Sequence, residues 1–172
     1  MKQNIIVIDD FYKDPMAVRE FALKQTFEVR GNYPGIRTKS FATAELKKTL
    51  EQFVGPITQF PIDNNYNGSF QFTTSRDRSW IHKDPNNTWG AVLFLTPDAP
   101  PSSGTGFYKL KNESDCPNTF SQDLTKWELI DSVGNVFNRI VVFNSKRFHM
   151  SMDYFGNDKT NGRLFQVFFF ST

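Results

Sequence analysis

Hydrophobic and polar positions follow a helical spacing in the first third of this chain and a strand-like spacing in the rest. The almost wholly apolar stretch Asn4 to Ile8 reads as a short buried strand. Asp14 and Pro15 follow as a helix N-cap and a first helical residue, where the missing proline N–H costs nothing. Met16, Val18, Phe21, Ala22 and Leu23 then supply an apolar face that carries a helix to about Gln25. Residues 31–35, Gly-Asn-Tyr-Pro-Gly, form a loop. A second helix is expected after Thr43, with Leu46, Leu50 and Phe53 on one stripe and a stop at Gly55-Pro56.

Beyond Pro61 the period shortens to two. Ser69, Gln71, Thr73 and Ser75 alternate with Phe70, Phe72 and Thr74. Trp89 to Leu95 reads as a strand ended by Thr96-Pro97-Asp98, residues 99–104 as a turn region, and Thr105 to Leu110 as a further strand. The polar residues 111–127 predict a long loop, with a short helix near Leu124 to Ser132. Phe137 to Phe143 is strand-like. Arg163 to Phe170 is the last strand, and its apolar residues on both faces imply burial on both sides. Two helices followed by a run of strands predict an α+β fold, with an all-β sandwich or barrel carrying the chemistry.

Composition narrows the picture. At 172 residues, with no internal repeat or clear linker, the chain fits one domain spanning residues 1–172. Its 19 phenylalanines supply bulky material for a sheet-based core. Twenty basic against 18 acidic residues give a net charge of +2, which argues against a broad nucleic-acid or membrane footprint. The single cysteine, Cys116, cannot close an internal disulfide, so a reducing compartment is expected. The first ten residues hold too short an apolar run for a secretory signal, and nothing approaches the roughly 20 apolar residues of a membrane span. The expected location is the cytoplasm.

The candidate chemistry lies in the only two histidines. His82 and Asp84 sit two apart in Trp80-Ile81-His82-Lys83-Asp84-Pro85, and His149 lies 67 positions after His82. Two imidazoles and one carboxylate form the facial triad that holds Fe(II) and leaves coordination positions open. Side chains two apart on a strand face the same way, and Pro85 would end that strand and leave the pair at a rim. Arg163, 14 residues beyond His149, places a guanidinium at the end of a buried strand, where it needs a partner such as a carboxylate. Taken singly, each feature has an ordinary reading: a surface His-x-Asp pair, a structural histidine, and an internal salt bridge from Arg163 to Asp153 or Asp158.

Taken together, His82-x-Asp84, His149 and Arg163 resemble the signature of the Fe(II)/2-oxoglutarate-dependent oxygenases. Residues 138–145 are similar to the strand that delivers the distal histidine in that family, residues 89–95 to the strand after the His-x-Asp turn, and residues 104–108 to the next hairpin. The likeness covers about residues 66 to 171. Val7-Ile8-Asp9-Asp10-Phe11 more weakly resembles the lead-in of small prolyl-hydroxylase-like members.

The resemblance implies a β-dominated double-stranded β-helix, or jelly-roll, over 66–171, with N-terminal helices of residues 1–60 packed on one sheet as support. It implies that His82, Asp84 and His149 ligate Fe(II), that Arg163 binds the distal carboxylate of 2-oxoglutarate, and that O₂ takes the remaining position. The reaction implied releases succinate and CO₂ and oxidises a small-molecule or peptidyl substrate, with an amino-acid or peptidyl residue favoured. Family members that halogenate lack the carboxylate, so Asp84 points to hydroxylation or a related oxidation. Two positions depart from the pattern. Phe165 stands where many members carry a serine that touches the cosubstrate, and Asn144 where proline is frequent. Ser69, Gln71 or Thr73 is positioned to supply the missing polar contact, unless that row faces solvent.

Two other classes remain open on the residues alone: a cupin-like metalloenzyme that does not use 2-oxoglutarate, and a non-enzymatic β-sandwich binding protein. Trp89 reads as core, Trp80 and Tyr108 as residues that could shape a substrate pocket, and Arg147 as a second choice for the cosubstrate anchor. The 111–126 loop is a lid or a plain surface excursion, and Cys116 within it is reactive or inert. Oligomeric state is not legible.

Overall fold

The computed structural model describes residues 3–63, 66–112 and 122–172. Two antiparallel sheets and two helices make up the fold. Strands β1 (Ile5–Ile8), β2 (Ile36–Arg37), β3 (Phe70–Thr73), β4 (Trp89–Phe94), β7 (Ile140–Asn144) and β9 (Arg163–Phe170) form a six-stranded sheet in the order β1-β7-β4-β9-β3-β2. Strands β5 (Thr105–Leu110), β6 (Trp127–Val133) and β8 (Phe148–Ser151) form a three-stranded sheet in the order β6-β5-β8. Beyond β8 the small sheet continues as a bridge to His82. From β3 onward the chain therefore passes repeatedly between the sheets.

The helices start and stop where local chemistry dictates. In α1 (Pro15–Lys24), the Asp14 side chain accepts a hydrogen bond from the Ala17 N–H. In α2 (Ala44–Val54), Thr43 caps the Leu46 N–H, and Gly55 ends the helix at φ 83°, a conformation that glycine adopts without a Cβ clash. Both helices lie on the outer face of the large sheet. Ala22 and Leu50 are fully buried there against Phe70, Leu164, Phe168 and Phe170. By the usual cost of an emptied core site, Leu50→Ala removes about 2–5 kcal/mol.

The inner face of the same sheet presents Val141, Phe143, Phe94, Phe165 and Val167, and it packs on Phe107 from the small sheet. Strand β9 thus has both faces buried, as its sequence implies. Its neighbour β3 is the other case of a two-faced strand. Ser69, Gln71 and Thr73 are almost completely inaccessible, so this polar row points inward and a solvent-facing row is ruled out.

Two expectations need correction. Residues 127–133 form strand β6, and only Leu124–Lys126 make a helical turn, of the 3-10 kind. The pairing of β6 with β5 supplies the hydrogen bonds that a helix would otherwise make internally, a long-range choice that overrides local pattern. The strand placed at 137–143 begins at Ile140, because Asn138 takes a positive φ of 64° and its side chain is tied to Tyr12. Among the described residues no helix is long and apolar enough to cross a membrane. Cys116 and most of the expected loop fall at 113–121, outside the described residues.

Candidate metal centre

The small sheet sets two imidazoles side by side. His82 and His149 form an antiparallel bridge in which each backbone N–H donates to the other's carbonyl, at 3.0 Å and 2.9 Å. Their rings lie 4.4 Å apart between centroids. Ile81, fully buried, anchors the segment ahead of His82. The Asp84 N–H donates to the Ser145 carbonyl at 2.9 Å, which ties the His82–Pro85 turn to the β7–β8 connection.

Hydrogen bonds behind the rings decide which nitrogen faces the site. His82 Nδ1 lies 3.0 Å from the Trp80 carbonyl, and His149 Nδ1 lies 2.9 Å from the Arg147 carbonyl. A carbonyl oxygen can only accept, so each Nδ1 carries a proton and each Nε2 is turned inward. His149 Nε2 is 3.3 Å from one Asp84 oxygen and His82 Nε2 is 3.8 Å from the other. The three ligand atoms lie within 4.8 Å of one another. Two nitrogens and one carboxylate oxygen this close together form a donor set that could hold a metal ion.

Burial and the neighbouring His149 ring hold the His82 pKa below its ordinary value, so His82 is neutral near pH 7. For Asp84, burial acts upward, but the hydrogen bond to His149 and the nearby imidazoles and Arg37 guanidinium outweigh it, and the pKa lies below the usual carboxylate range.

The four predicted site residues are not placed alike. His82, Asp84 and His149 converge. Arg163 is fully buried at the start of β9, on the same strand face as Phe165, whose ring lies 4.3 Å from its guanidinium and lines the chamber beside the triad. Arg163 Nε donates to the Ser103 carbonyl at 2.8 Å. Among the described residues it has no carboxylate partner, so the internal salt bridge to Asp153 or Asp158 is not formed. Burial lowers its pKa to about 10, and the group remains charged at neutral pH.

Its Nη1 has no hydrogen-bond partner among the described residues, and neither do the hydroxyls of Thr73 and Thr105. Thr73 is the β3 residue in register with Arg163, and Thr105 follows the Ser103-Gly104 carbonyls that the guanidinium touches. One unsatisfied nitrogen of a buried guanidinium and two buried, unsatisfied hydroxyls are a donor set that would fit a carboxylate. Of the row Ser69, Gln71 and Thr73, Gln71 is engaged with Arg37, and the hydroxyls of Ser69 and Thr73 have no hydrogen-bond partner among the described residues.

Of the remaining residues, Trp80 lies beside the site, with its ring 6.2 Å from that of His82. Trp89 packs against the outer core. Tyr108 faces a separate cleft with Asp77 and Tyr154. Arg147 pairs with Asp131 at 2.7 Å and is not among the residues that line the chamber.

One residue escaped the sequence reading. Arg37 lines the same ≈ 300 Å³ chamber as the triad. Its strand is two residues long, and its partner Gln71 is 34 positions away, so no periodicity marks it.

The sequence matches the family described as "Family of unknown function (DUF6445)" over residues 1–117. A comparison with curated protein sequences finds no match. Solved structures show the same fold at low identity. A prolyl hydroxylase from Trichoplax adhaerens, in complex with a hypoxia-inducible-factor peptide fragment, superposes with a TM-score of 0.58 at 11% identity, covering 97% of this chain and 83% of that one. HygX from Streptomyces hygroscopicus, with nickel, 2-oxoglutarate and hygromycin B bound, gives 0.61 at 12% identity over 95% and 81% of the two chains. The Fe(II)/α-ketoglutarate-dependent dioxygenase TqaL gives 0.55 at 15% over 98% and 83%.

Proposed function

We propose that this chain, which belongs to the DUF6445 family of unknown function, is an Fe(II)- and 2-oxoglutarate-dependent dioxygenase that hydroxylates an amino-acid or peptidyl substrate. The observation that carries this reading is the convergence of His82, Asp84 and His149, each imidazole held by a carbonyl so that Nε2 faces one point. The shared fold with a prolyl hydroxylase and an α-ketoglutarate-dependent dioxygenase supports it. The repeated passage of the chain between the two sheets from β3 to β9, broken only by the β5–β6 pair within the small sheet, supports a double-stranded β-helix over 66–171, with residues 1–60 as its buttress. β1 and β2 extend this buttress, as the two edges of the large sheet.

In this reading His82, Asp84 and His149 hold the iron and Arg163, with Thr73 and Thr105, holds the distal carboxylate of 2-oxoglutarate. When bound, iron and 2-oxoglutarate with O₂ supply the oxidant for a C–H bond, and 2-oxoglutarate leaves as succinate and CO₂. The protein's own contribution is positional. The Trp80 and Arg147 carbonyls fix the imidazole tautomers and ring angles. Phe143, Phe165 and Val167 line the chamber and exclude water, which strengthens each electrostatic contact inside it. The Arg163 guanidinium, already desolvated, gains a charge-assisted pair without further ordering.

The test is anaerobic addition of Fe(II) and 2-oxoglutarate, read as the weak visible metal-to-ligand charge-transfer band. The band is expected in wild type and lost in both His149→Ala and Arg163→Ala. Metal uptake with no band would favour a cupin-like enzyme that does not use 2-oxoglutarate. No metal uptake by the folded protein would favour a binding module.

A further inference from the structure

A second guanidinium, that of Arg37, lines the chamber beside the triad. Arg37 is 7% exposed and stands opposite Gln71 in the β2–β3 register. Its Nε donates to Gln71 Oε1 at 2.7 Å, and the Gln71 amide is held in turn by the Pro34 carbonyl at 2.5 Å. The guanidinium lies 3.7 Å over the Tyr33 ring, whose hydroxyl is fixed by the Val29 carbonyl at 2.9 Å. Gly35 makes this arrangement reachable, because at φ 74° any Cβ there would sit 2.0 Å from the Phe72 carbonyl oxygen. Among the described residues Arg37 forms no salt bridge, and its two Nη atoms make no hydrogen bond. Such a buried, oriented and unpaired cation is a receptor.

Its position identifies what it receives. The inner chamber beside the triad and an outer cleft of ≈ 660 Å³ meet at Arg37, Asp84, Pro85 and Phe169. The rest of the outer cleft is neutral, lined by Gln59, Phe60, Pro61, Tyr66, Asn86 and Asn87. With Asp84 committed to the metal, the charge left at this doorway is positive. Nε is occupied, so the Nη edge is what remains, a planar fork that matches a carboxylate. Tyr33 and Phe169 lie near the guanidinium, at 3.7 Å and 5.6 Å, as aromatic walls that suit a flat group. Arg163 has its own unsatisfied hydroxyls and accounts for the carboxylate of 2-oxoglutarate.

We propose that Arg37, steered by Gln71 and Tyr33, binds a free carboxylate of the primary substrate at the mouth of the chamber. The substrate is then a small carboxylic acid, such as a free or N-acylated amino acid, rather than an internal residue of a protein. This assignment rests on the oxygenase reading above. Burial lowers the Arg37 pKa to about 10, with Tyr33 and Asp84 opposing, so the group is cationic at neutral pH.

The test uses Zn(II)- and 2-oxoglutarate-loaded protein and isothermal titration with the twenty L-amino acids and their N-acetyl derivatives, each against its primary amide. At least one acid is expected to bind about tenfold or more tightly than its amide, as a charge-assisted pair requires. Arg37→Met is expected to erase that preference, Arg37→Lys to restore part of it, and both to keep 2-oxoglutarate affinity within about twofold of wild type. Three results overturn the proposal: no acid preferred over its amide in wild type, a preference that survives in Arg37→Met, or loss of 2-oxoglutarate binding in Arg37→Met. The wild-type comparison stands even if a variant fails to fold. A missing charge-transfer band sinks the oxygenase reading itself, whereas a band with no acid preference sinks only this assignment.

Discussion

Gly90→Ala tests whether the packing behind the triad, and not just its ligands, sets metal affinity. A Cβ at residue 90 would sit 3.0 Å and 3.1 Å from two ring carbons of Phe143 and 3.8 Å from an Asp84 oxygen. Relief to an ordinary contact of 3.4 Å requires the ring to move by roughly 0.4 Å. Phe143 is 2% exposed, with Phe107 5.4 Å away and the His149 ring 4.6 Å away, so it has little room to retreat. Overpacking of this kind costs about 1–3 kcal/mol, and the reduced freedom of the unfolded chain offsets about 0.4–1 of it. The net loss of about 1–2 kcal/mol corresponds to a fall in Tm of about 2–8 °C for a chain of this length.

If more than about half of the shift is passed to His149, it exceeds the roughly 0.2 Å tolerance of a metal–ligand distance, and disturbed support of a ligand typically costs about 10–100-fold in metal affinity. Thermal unfolding of the metal-free protein and anaerobic metal titration measure the two effects separately. Unchanged Tm and affinity would refute the clamped-ring argument. A lowered Tm with native metal affinity would show that the ring relaxes away from His149 and would refute the coupling.

Arg163→Met should weaken 2-oxoglutarate binding about tenfold or more, with stability changed by less than about 2 kcal/mol, because loss of an unpaired buried charge offsets the one carbonyl, that of Ser103, left without its donor, while the Gly104 carbonyl keeps the Met152 N–H. Charge-transfer titration and urea unfolding measure these, and native cosubstrate affinity would reject the anchor. Asp84→Asn keeps the shape and removes the anionic ligand, so Fe(II) affinity should fall by more than about a hundredfold; equilibrium dialysis showing a smaller loss would argue against a three-ligand site.

The metal-free protein should lose stability as pH drops from about 7.5 to about 5.5. Burial holds the folded His82 pKa below 6.5, so the unfolded chain takes up its proton first, and stability falls with pH until the folded ring titrates too. Urea midpoints that do not move over this range, or that move equally in His82→Gln, would contradict that origin.

Much of this protein is local and therefore legible in one dimension. Asp14-Pro15 and Thr43 cap helices where their side chains must, Gly55 ends one, and the apolar run 163–170 is the buried central strand it reads as. The His82-x-Asp84 spacing and the scarcity of histidine single out the three residues that the fold brings within 4.8 Å. These signals survive because each depends on chemistry within a few residues of itself.

What the sequence leaves open is decided by pairing across long separations. Leu124 to Ser132 has enough helical pattern to mislead, and only the edge of β5 makes residues 127–133 a strand. The row Ser69, Gln71 and Thr73 has the period of any half-exposed strand, and only tertiary packing buries it and brings Gln71 to the chamber beside the triad. Arg37 shares no local pattern with Gln71 or Asp84, and it enters the site because a two-residue strand docks on β3. A hydrophobic period records which face of an element is buried; which other element buries it, and so which polar groups are trapped together, is set by tertiary packing alone.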